Sequence, residues 1–201
     1  MENELSKAER TRQFILETTA GIFNKKGYAG TSLSDLTEAT GLTKGSIYGN
    51  FKNKEEVAAA VFDYNLDKVR KQVQQHIQKA TSYHDKLMVY AQVYHTFNKE
   101  KSFPVGGCPI LNTAVEADDT NLILKERAAG AIVRWKRSIE NLINSGIKAG
   151  EFRPGIDTNE ISLAMIALIE GGIMIAKVTG HPSSLDTVLK TVGELVSGLK
   201  Q

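Results

Sequence analysis

Cysteine is nearly missing from this chain. Cys108 stands alone among 201 residues, so no internal disulfide can form and no set of thiolates can hold a metal. The four histidines, His76, His84, His95 and His181, show no metal-ligand spacing with it, and neither a structural metal nor a cofactor is implied. Charge of one sign is scarce as well: 25 Lys and Arg face 23 Asp and Glu, a formal net charge of +2, too little to mark the whole chain as a polycation. The opening MENELSKAER is charged and lacks an apolar core segment, which excludes a secretory signal and points to the cytoplasm. Alternating strand-like runs, internal repeats and low-complexity tracts are absent too, while 41% hydrophobic and 24% charged residues exclude disordered and fibrous classes.

What is present is helical periodicity along almost the whole length, with apolar residues recurring at three and four positions. Ser6 followed by Glu9 forms a capping box, and Phe14, Ile15, Ile22 and Phe23 then make one apolar stripe until Gly27, giving a helix over 6–26. Ser32 with Asp35 repeats the signal for a short helix that Gly41 ends, with Leu33 and Leu36 facing inward. Thr43 caps a third helix to about Asn50, and Asn53 a long fourth from Lys54 to about Lys79. Further helices are predicted near 83–101, 110–118, 121–149, 158–179 and 184–199, with Asp157 and Glu160 as another cap. The fold class is all-α with about nine helices: a three-helix DNA-binding domain over 1–53 and a helical ligand-sensing and dimerisation domain over 54–201.

Three short helices with a tight Gly41-Leu42 turn between the second and third match a helix-turn-helix, whose last helix enters the major groove. Thr43, Lys44, Gly45 and Ser46 supply hydroxyls and an ammonium in its first turn, and the glycine permits close backbone approach. Tyr48 lies one turn on, where its hydroxyl can reach a phosphate or base edge. Lys52 and Lys54 follow at the head of the fourth helix, a place that favours phosphate. Charge is distributed accordingly. Residues 1–54 hold eight basic and six acidic side chains, the remainder 17 of each, and 39–54 contains three lysines and no acid.

The stretch GTSLSDLTEATGLTKGSIYGNFKNKEEV resembles the DNA-binding signature of the tetracycline-repressor (TetR) family. The resemblance implies a one-component repressor that binds a near-palindromic operator as a dimer, with Thr43, Lys44, Gly45, Ser46 and Tyr48 facing the DNA. It further implies that Ser32, Ser34, Asn50 and Lys54 hold the nucleic-acid backbone and that Phe51 is core. A second local likeness, GGCPILNTAVEADD, resembles a sub-branch in which a Gly-Cys pair opens the sixth helix, and some of those proteins respond to electrophiles or oxidants through the cysteine.

Ile161–Val178 is apolar on nearly all sides, with Glu170 and Lys177 its only charges, and must be buried all round. Two charges, the Gly171-Gly172 pair and the lack of flanking anchors argue against a membrane span. Burial against a second subunit is the expectation, with 158–179 and 184–199 forming a homodimer interface. Tyr90, Tyr94 and Phe97 share a helix face that is either core or a cavity wall, with Trp135, Met165 and Met174 as co-walls. Glu170 and Lys177, seven residues apart on one face, should be paired or point into a polar part of that pocket. Cys108, between Gly106-Gly107 and Pro109, sits where a helix N-terminus stabilises thiolate. It is either packing or the sensor of a reactive inducer, the alternative to a non-reactive small molecule. An enzyme using Cys108 and His95 has no third orienting group and leaves the helix-turn-helix unexplained, so no catalytic residue is assigned. A ligand-independent architectural DNA-binding protein is the remaining class.

Overall fold

A computed structural model describes residues 6–96 and 104–201. Among these, regular structure is helical apart from one isolated bridge between Phe152 and Lys200. The helices are α1 (Lys7–Lys26), α2 (Leu33–Thr40), α3 (Lys44–Tyr48), α4 (Lys54–Lys79), α5 (Tyr83–His95), α6 (Pro109–Ala117), α7 (Leu122–Lys148), α8 (Thr158–Thr179) and α9 (Pro182–Ser197). The all-α reading with about nine helices holds. Residues 97–101, to which periodicity extended the fifth helix, lie outside the described residues.

Local chemistry sets the helix starts. Ser6 Oγ accepts from the Glu9 N–H at 3.2 Å while Glu9 Oε2 accepts from the Ser6 N–H at 2.8 Å, and the Ser6 hydroxyl, followed by that backbone N–H, holds the Glu9 carboxyl below its usual range. Ser32 and Asp35 repeat the arrangement at the head of α2. Asn53 Oδ1 accepts from the Glu56 N–H, and Asp157 Oδ1 from the N–H groups of Asn159 and Glu160. Gly41, at φ +67°, closes α2 in the left-handed region that a side chain would resist.

Two compact units result, Met1–Lys68 with Pro104–Ala128 and Val69–Phe103 with Ala129–Gln201. In the first, Ile15, Leu36, Ile47 and Val57 are fully buried, with Phe23 and Phe51 beside them, and Ala117 and Leu124 from the later segment complete the same core. Each such aliphatic side chain contributes about 1.5–3 kcal/mol by leaving water. Phe14, expected on the inward stripe, is 46% exposed. The buried face of α1 runs through Ile15, Thr19, Ala20 and Phe23, spacings of four, one and three that leave Phe14 outside it.

In the second unit Ile139, Ile143, Met165, Ile169, Ile173 and Leu185 are fully or nearly fully buried. Gly146 has a packing reason: a Cβ there would lie 2.2 Å from the Phe152 ring. Gly172 brings α8 close to α9, its absent Cβ 3.0 Å from Leu185 and 3.1 Å from Val188, whereas Gly171 has nothing within 4 Å. The α8 helix is not buried all round in the single chain, because Leu163, Met174, Ile175 and Val178 are exposed. It is long and apolar enough to cross a membrane, with 39% of its most apolar stretch buried.

Candidate functional site

The third helix is short, and both its ends are secured by side chains. Thr43 is extended, and its Oγ1 accepts from the Ser46 N–H at 3.1 Å. Just before it, the Leu42 N–H donates to Thr40 Oγ1 at 3.2 Å, fixing the turn from α2. Ile47 and Phe51 point into the core, which turns the opposite face outward. Thr43, Lys44 and Gly45 on that face are exposed, and Ser46, Tyr48 and Asn50 are half-buried. The Lys44 ammonium lies 6.0 Å from the Tyr48 ring centroid. Gly45 has no internal packing role, since a Cβ there would meet only Thr43 Oγ1 at 3.9 Å. A glycine in a helix interior costs about 0.8–1 kcal/mol relative to alanine, and packing within the chain gives no reason for it here.

A polar brace locks the helix from behind. The Arg12 guanidinium lies 3.9 Å from the Phe51 ring centroid, donates to the Asn50 carbonyl, and donates to Glu56 Oε1 at 3.1 Å. Glu56 Oε2 accepts from the Lys52 N–H at 2.7 Å, and that bond, followed by Arg12, holds the Glu56 carboxyl below its usual range. Asn50 Nδ2 donates to the Ser46 carbonyl at 2.9 Å. Lys54 is also spoken for in part. Its ammonium donates to the carbonyls of Tyr28 at 2.8 Å and Thr31 at 2.9 Å and lies 4.3 Å from the Tyr28 ring centroid, so two of its three protons point back into the α1–α2 loop. Lys52 and Ser34 are exposed, and the exposed Ser32 hydroxyl serves the α2 cap. Asp35 also pairs with Lys26 at 2.6 Å, which, ahead of its bonds to Ser32, depresses its carboxyl strongly.

The later segment of this unit grips α1. Asn24 Nδ2 donates to the carbonyls of Val105 at 3.0 Å and Gly107 at 2.7 Å, and Asn112 Nδ2 donates to the carbonyls of Asn24 at 2.9 Å and Gly106 at 3.0 Å. Gly106, at φ +98°, passes so close that a Cβ would lie 2.9 Å from the Asn24 backbone. The Glu116 carboxylate accepts from the N–H groups of Tyr28 and Ala29, each at 2.8 Å. A cavity of about 30 Å³ borders Asn24, Asn65, Asn112 and Glu116; it has room for a water and is far below the ~300 Å³ of a drug-sized pocket. Cys108 caps α6 with Pro109 at the first helical position, and it is 1% exposed.

In the second unit the structure brings together Tyr90, Tyr94 and Trp135. Tyr94 stacks on the indole at 5.5 Å and 18°, and Tyr90 tilts against it at 6.2 Å and 33°. The Tyr90 hydroxyl donates to Ser138 Oγ at 2.9 Å; burial pushes its pKa up, against the pull of that bond. Met165 is fully buried and Glu170 half-buried, whereas Met174 and Lys177 are exposed on α8. Phe97 lies outside the described residues. Cys108 belongs to the first unit and the other described residues proposed for sensing to the second.

Sequence reasoning missed Arg12, Glu56, Asn24, Asn112 and Glu116. One of them left a signal, since Asn24 beside Phe23 puts an amide on the apolar face of α1, where a buried polar group requires partners. Among the described residues no group of His, Cys, Asp and Glu could hold a metal ion.

Comparison with known proteins gives a consistent picture. Residues 15–61 match the family described as bacterial regulatory proteins, tetR family, and residues 84–192 match the tetracyclin repressor-like C-terminal domain. The crystal structure of a TetR-family transcriptional regulator from Cytophaga hutchinsonii has a TM-score of 0.93 to this chain at 50% identity, covering 98% of both chains. One from Chloroflexus aurantiacus has a TM-score of 0.90 at 37% identity, covering 96% of this chain and 97% of its own. The HTH-type transcriptional repressor DhaR of Mycobacterium sp. (strain GP1) is 23% identical over 91% of this chain and 90% of its own length.

Proposed function

Because the chain belongs to the TetR family of transcriptional regulators, whose members bind operator DNA as dimers, we propose that it is a cytoplasmic repressor released from a near-palindromic operator by a small molecule or a reactive electrophile. The observation that carries the DNA-reading part is the face of α3. Thr43, Lys44, Gly45, Ser46 and Tyr48 lie on its outer side, a glycine among them serves no packing need, and Arg12 and Glu56 bond the turn that follows at Asn50 and Lys52. In this reading Lys52, Ser32, Ser34 and Asn50 hold the phosphate backbone. Lys54 acts chiefly by fixing the α1–α2 loop.

Dimerisation runs through α8 and α9. Leu163, Met174, Ile175 and Val178 form an exposed apolar face on a helix whose other side is packed on α9, and a second copy of the same face would cover it. Functionally, residues 1–53 read DNA and 54–201 sense and dimerise, with the continuous helices α4 and α7, each of which contributes to both compact units, carrying the change. The reactive branch of the proposal, shared with the Gly-Cys sub-branch, assigns sensing to Cys108. Its burial favours packing, and slow thiol labelling of the native protein, no faster than unfolding, would exclude the reactive branch.

The test of the whole reading is selection of binding sites from random duplex DNA with the full-length protein. The expected product is a near-palindrome with half-sites about one helical turn, ~34 Å, or somewhat more apart. Lys44→Ala should lower affinity for it by roughly tenfold or more without unfolding the protein. Enrichment of no sequence at all would overturn the repressor in favour of an architectural protein.

A further inference from the structure

The loop between α1 and α2 is held by side chains from two other helices. The Glu116 carboxylate on α6 accepts from the Tyr28 and Ala29 N–H groups at 2.8 Å each, while the Lys54 ammonium on α4 donates to the Tyr28 and Thr31 carbonyls at 2.8 and 2.9 Å. Within the loop Thr31 Oγ1 donates to the Gly27 carbonyl at 2.6 Å. Gly27, at φ +73°, leaves the carboxylate its place, since a Cβ there would overlap it. Residues 27–31 run straight into Ser32, whose hydroxyl caps α2 and whose neighbour but one is the exposed Ser34. Ala29 is exposed and Tyr28 half-buried, so water can serve their amides in place of Glu116. What the carboxylate supplies that water does not is a fixed direction, and it does so with the wrong charge for a unit that approaches phosphate.

We propose that Glu116 is a positioning residue for operator recognition: from α6 it sets the α1–α2 loop, and through the loop the start of α2, so that Ser32 and Ser34 meet the phosphate backbone in the register that lets α3 read bases. The inference rests on the reading of the first unit as a DNA reader and assigns to that unit a residue that itself touches no DNA. Its effect has a sign opposite to that of charge alone. Removing an acid from a DNA-binding protein ordinarily strengthens binding, whereas loss of the Glu116 grip weakens it, and only for the sequence that the aligned helices recognise.

The test compares the full-length wild type with Glu116→Gln, Glu116→Asp and Glu126→Gln, the last at an exposed acid on α7 of the same unit. Glutamine turns an N–H toward one of the two amides, and aspartate is one methylene too short to reach both. Each breaks the two-bond grip, and only the first changes the charge. Affinities for the selected operator and for random duplex are measured at one salt concentration, with urea unfolding and amide exchange followed on the free protein. Both Glu116 variants should fold, exchange the Tyr28 and Ala29 amides faster, and lose about tenfold in operator affinity, the worth of one contact at 1.4 kcal/mol per tenfold, without losing affinity for random duplex. Glu126→Gln should bind the operator at least as tightly as wild type. Operator affinity unchanged or raised in either folded Glu116 variant, an equal loss on operator and random duplex, or amide exchange as slow as in wild type would overturn the proposal. A wild type that prefers no sequence would overturn the DNA reading and this proposal with it, whereas a discriminating wild type beside equally discriminating Glu116 variants overturns this one alone.

Discussion

The two compact units are held together by different means. In the first, side chains repeatedly seize backbone: Asn24 and Asn112 bind the 105–107 carbonyls, Glu116 the Tyr28 and Ala29 amides, Lys54 the Tyr28 and Thr31 carbonyls, Arg12 the Asn50 carbonyl. The second has fewer such grips, among them the Glu151 carboxylate on the Tyr83 and His84 amides, and it is centred on the buried Ile139, Ile143, Ile169 and Ile173 with an apolar face of α8 left exposed. Directional bonds fix geometry, and a surface that must match the fixed spacing of base pairs needs that. Apolar packing with unfinished edges accepts molecules from outside, which suits the dimerising and sensing roles proposed for that unit.

The largest effect is expected where the second unit is unfinished. Ile175→Glu places a charge on the exposed α8 face; it should yield a monomer in sedimentation equilibrium and lower operator affinity by about a hundredfold or more, since one half-site cannot hold the protein. A dimer with unchanged affinity would show that this face is not the interface. Next comes the first unit. Asn24→Ala removes the donors to one buried and one part-buried carbonyl and should cost about 1–3 kcal/mol in urea unfolding. A loss below about 0.5 kcal/mol would mean that the 104–128 segment is not a structural part of the unit.

A smaller and opposite pair of effects is expected at Gly45. Gly45→Ala meets no obstacle within the protein, so unfolding should show a gain of about 0.5–1 kcal/mol, while operator affinity falls because the added methyl meets the DNA. Undiminished affinity would remove the case for close approach at this position. The smallest effect is a pH dependence. The Glu56 carboxyl is depressed in the folded protein, so its contribution is fully present above its ordinary value of 4.5 and is lost as pH falls through the lower folded value. Glu56→Gln should therefore flatten the acid limb of the stability profile and leave its neutral part parallel to wild type.

What was legible in the sequence is what is local. The caps at Ser6, Ser32, Thr43, Asn53 and Asp157 each span two or three residues, and the chemistry that makes them is complete within that window. Arg12 and Glu56 are 44 positions apart, and Asn24 finds its partners 81 to 88 positions away, so no window contains both sides of the bond. The α8 helix is legible as apolar, but which of its faces its own chain leaves exposed is not, because a helix with one apolar face uncovered has the composition of one buried all round. Phe14 shows the same limit at the scale of one side chain: beside Ile15 in the sequence, it lies about 100° around the helix and on the exposed side.

That the first unit is built from two separated stretches of chain sets an order of events during synthesis. The helices that carry the DNA-reading face leave the ribosome first, yet Ala117 and Leu124, which complete their core, and Glu116, which binds the Tyr28 and Ala29 amides, come from the later stretch. That stretch ends at Ala128, 60 residues beyond Lys68, a wait of roughly 3–12 s at ordinary elongation rates. Throughout that interval the nascent helix-turn-helix lacks part of its apolar core. A DNA-binding domain closed on itself by residue 53 would have no such interval.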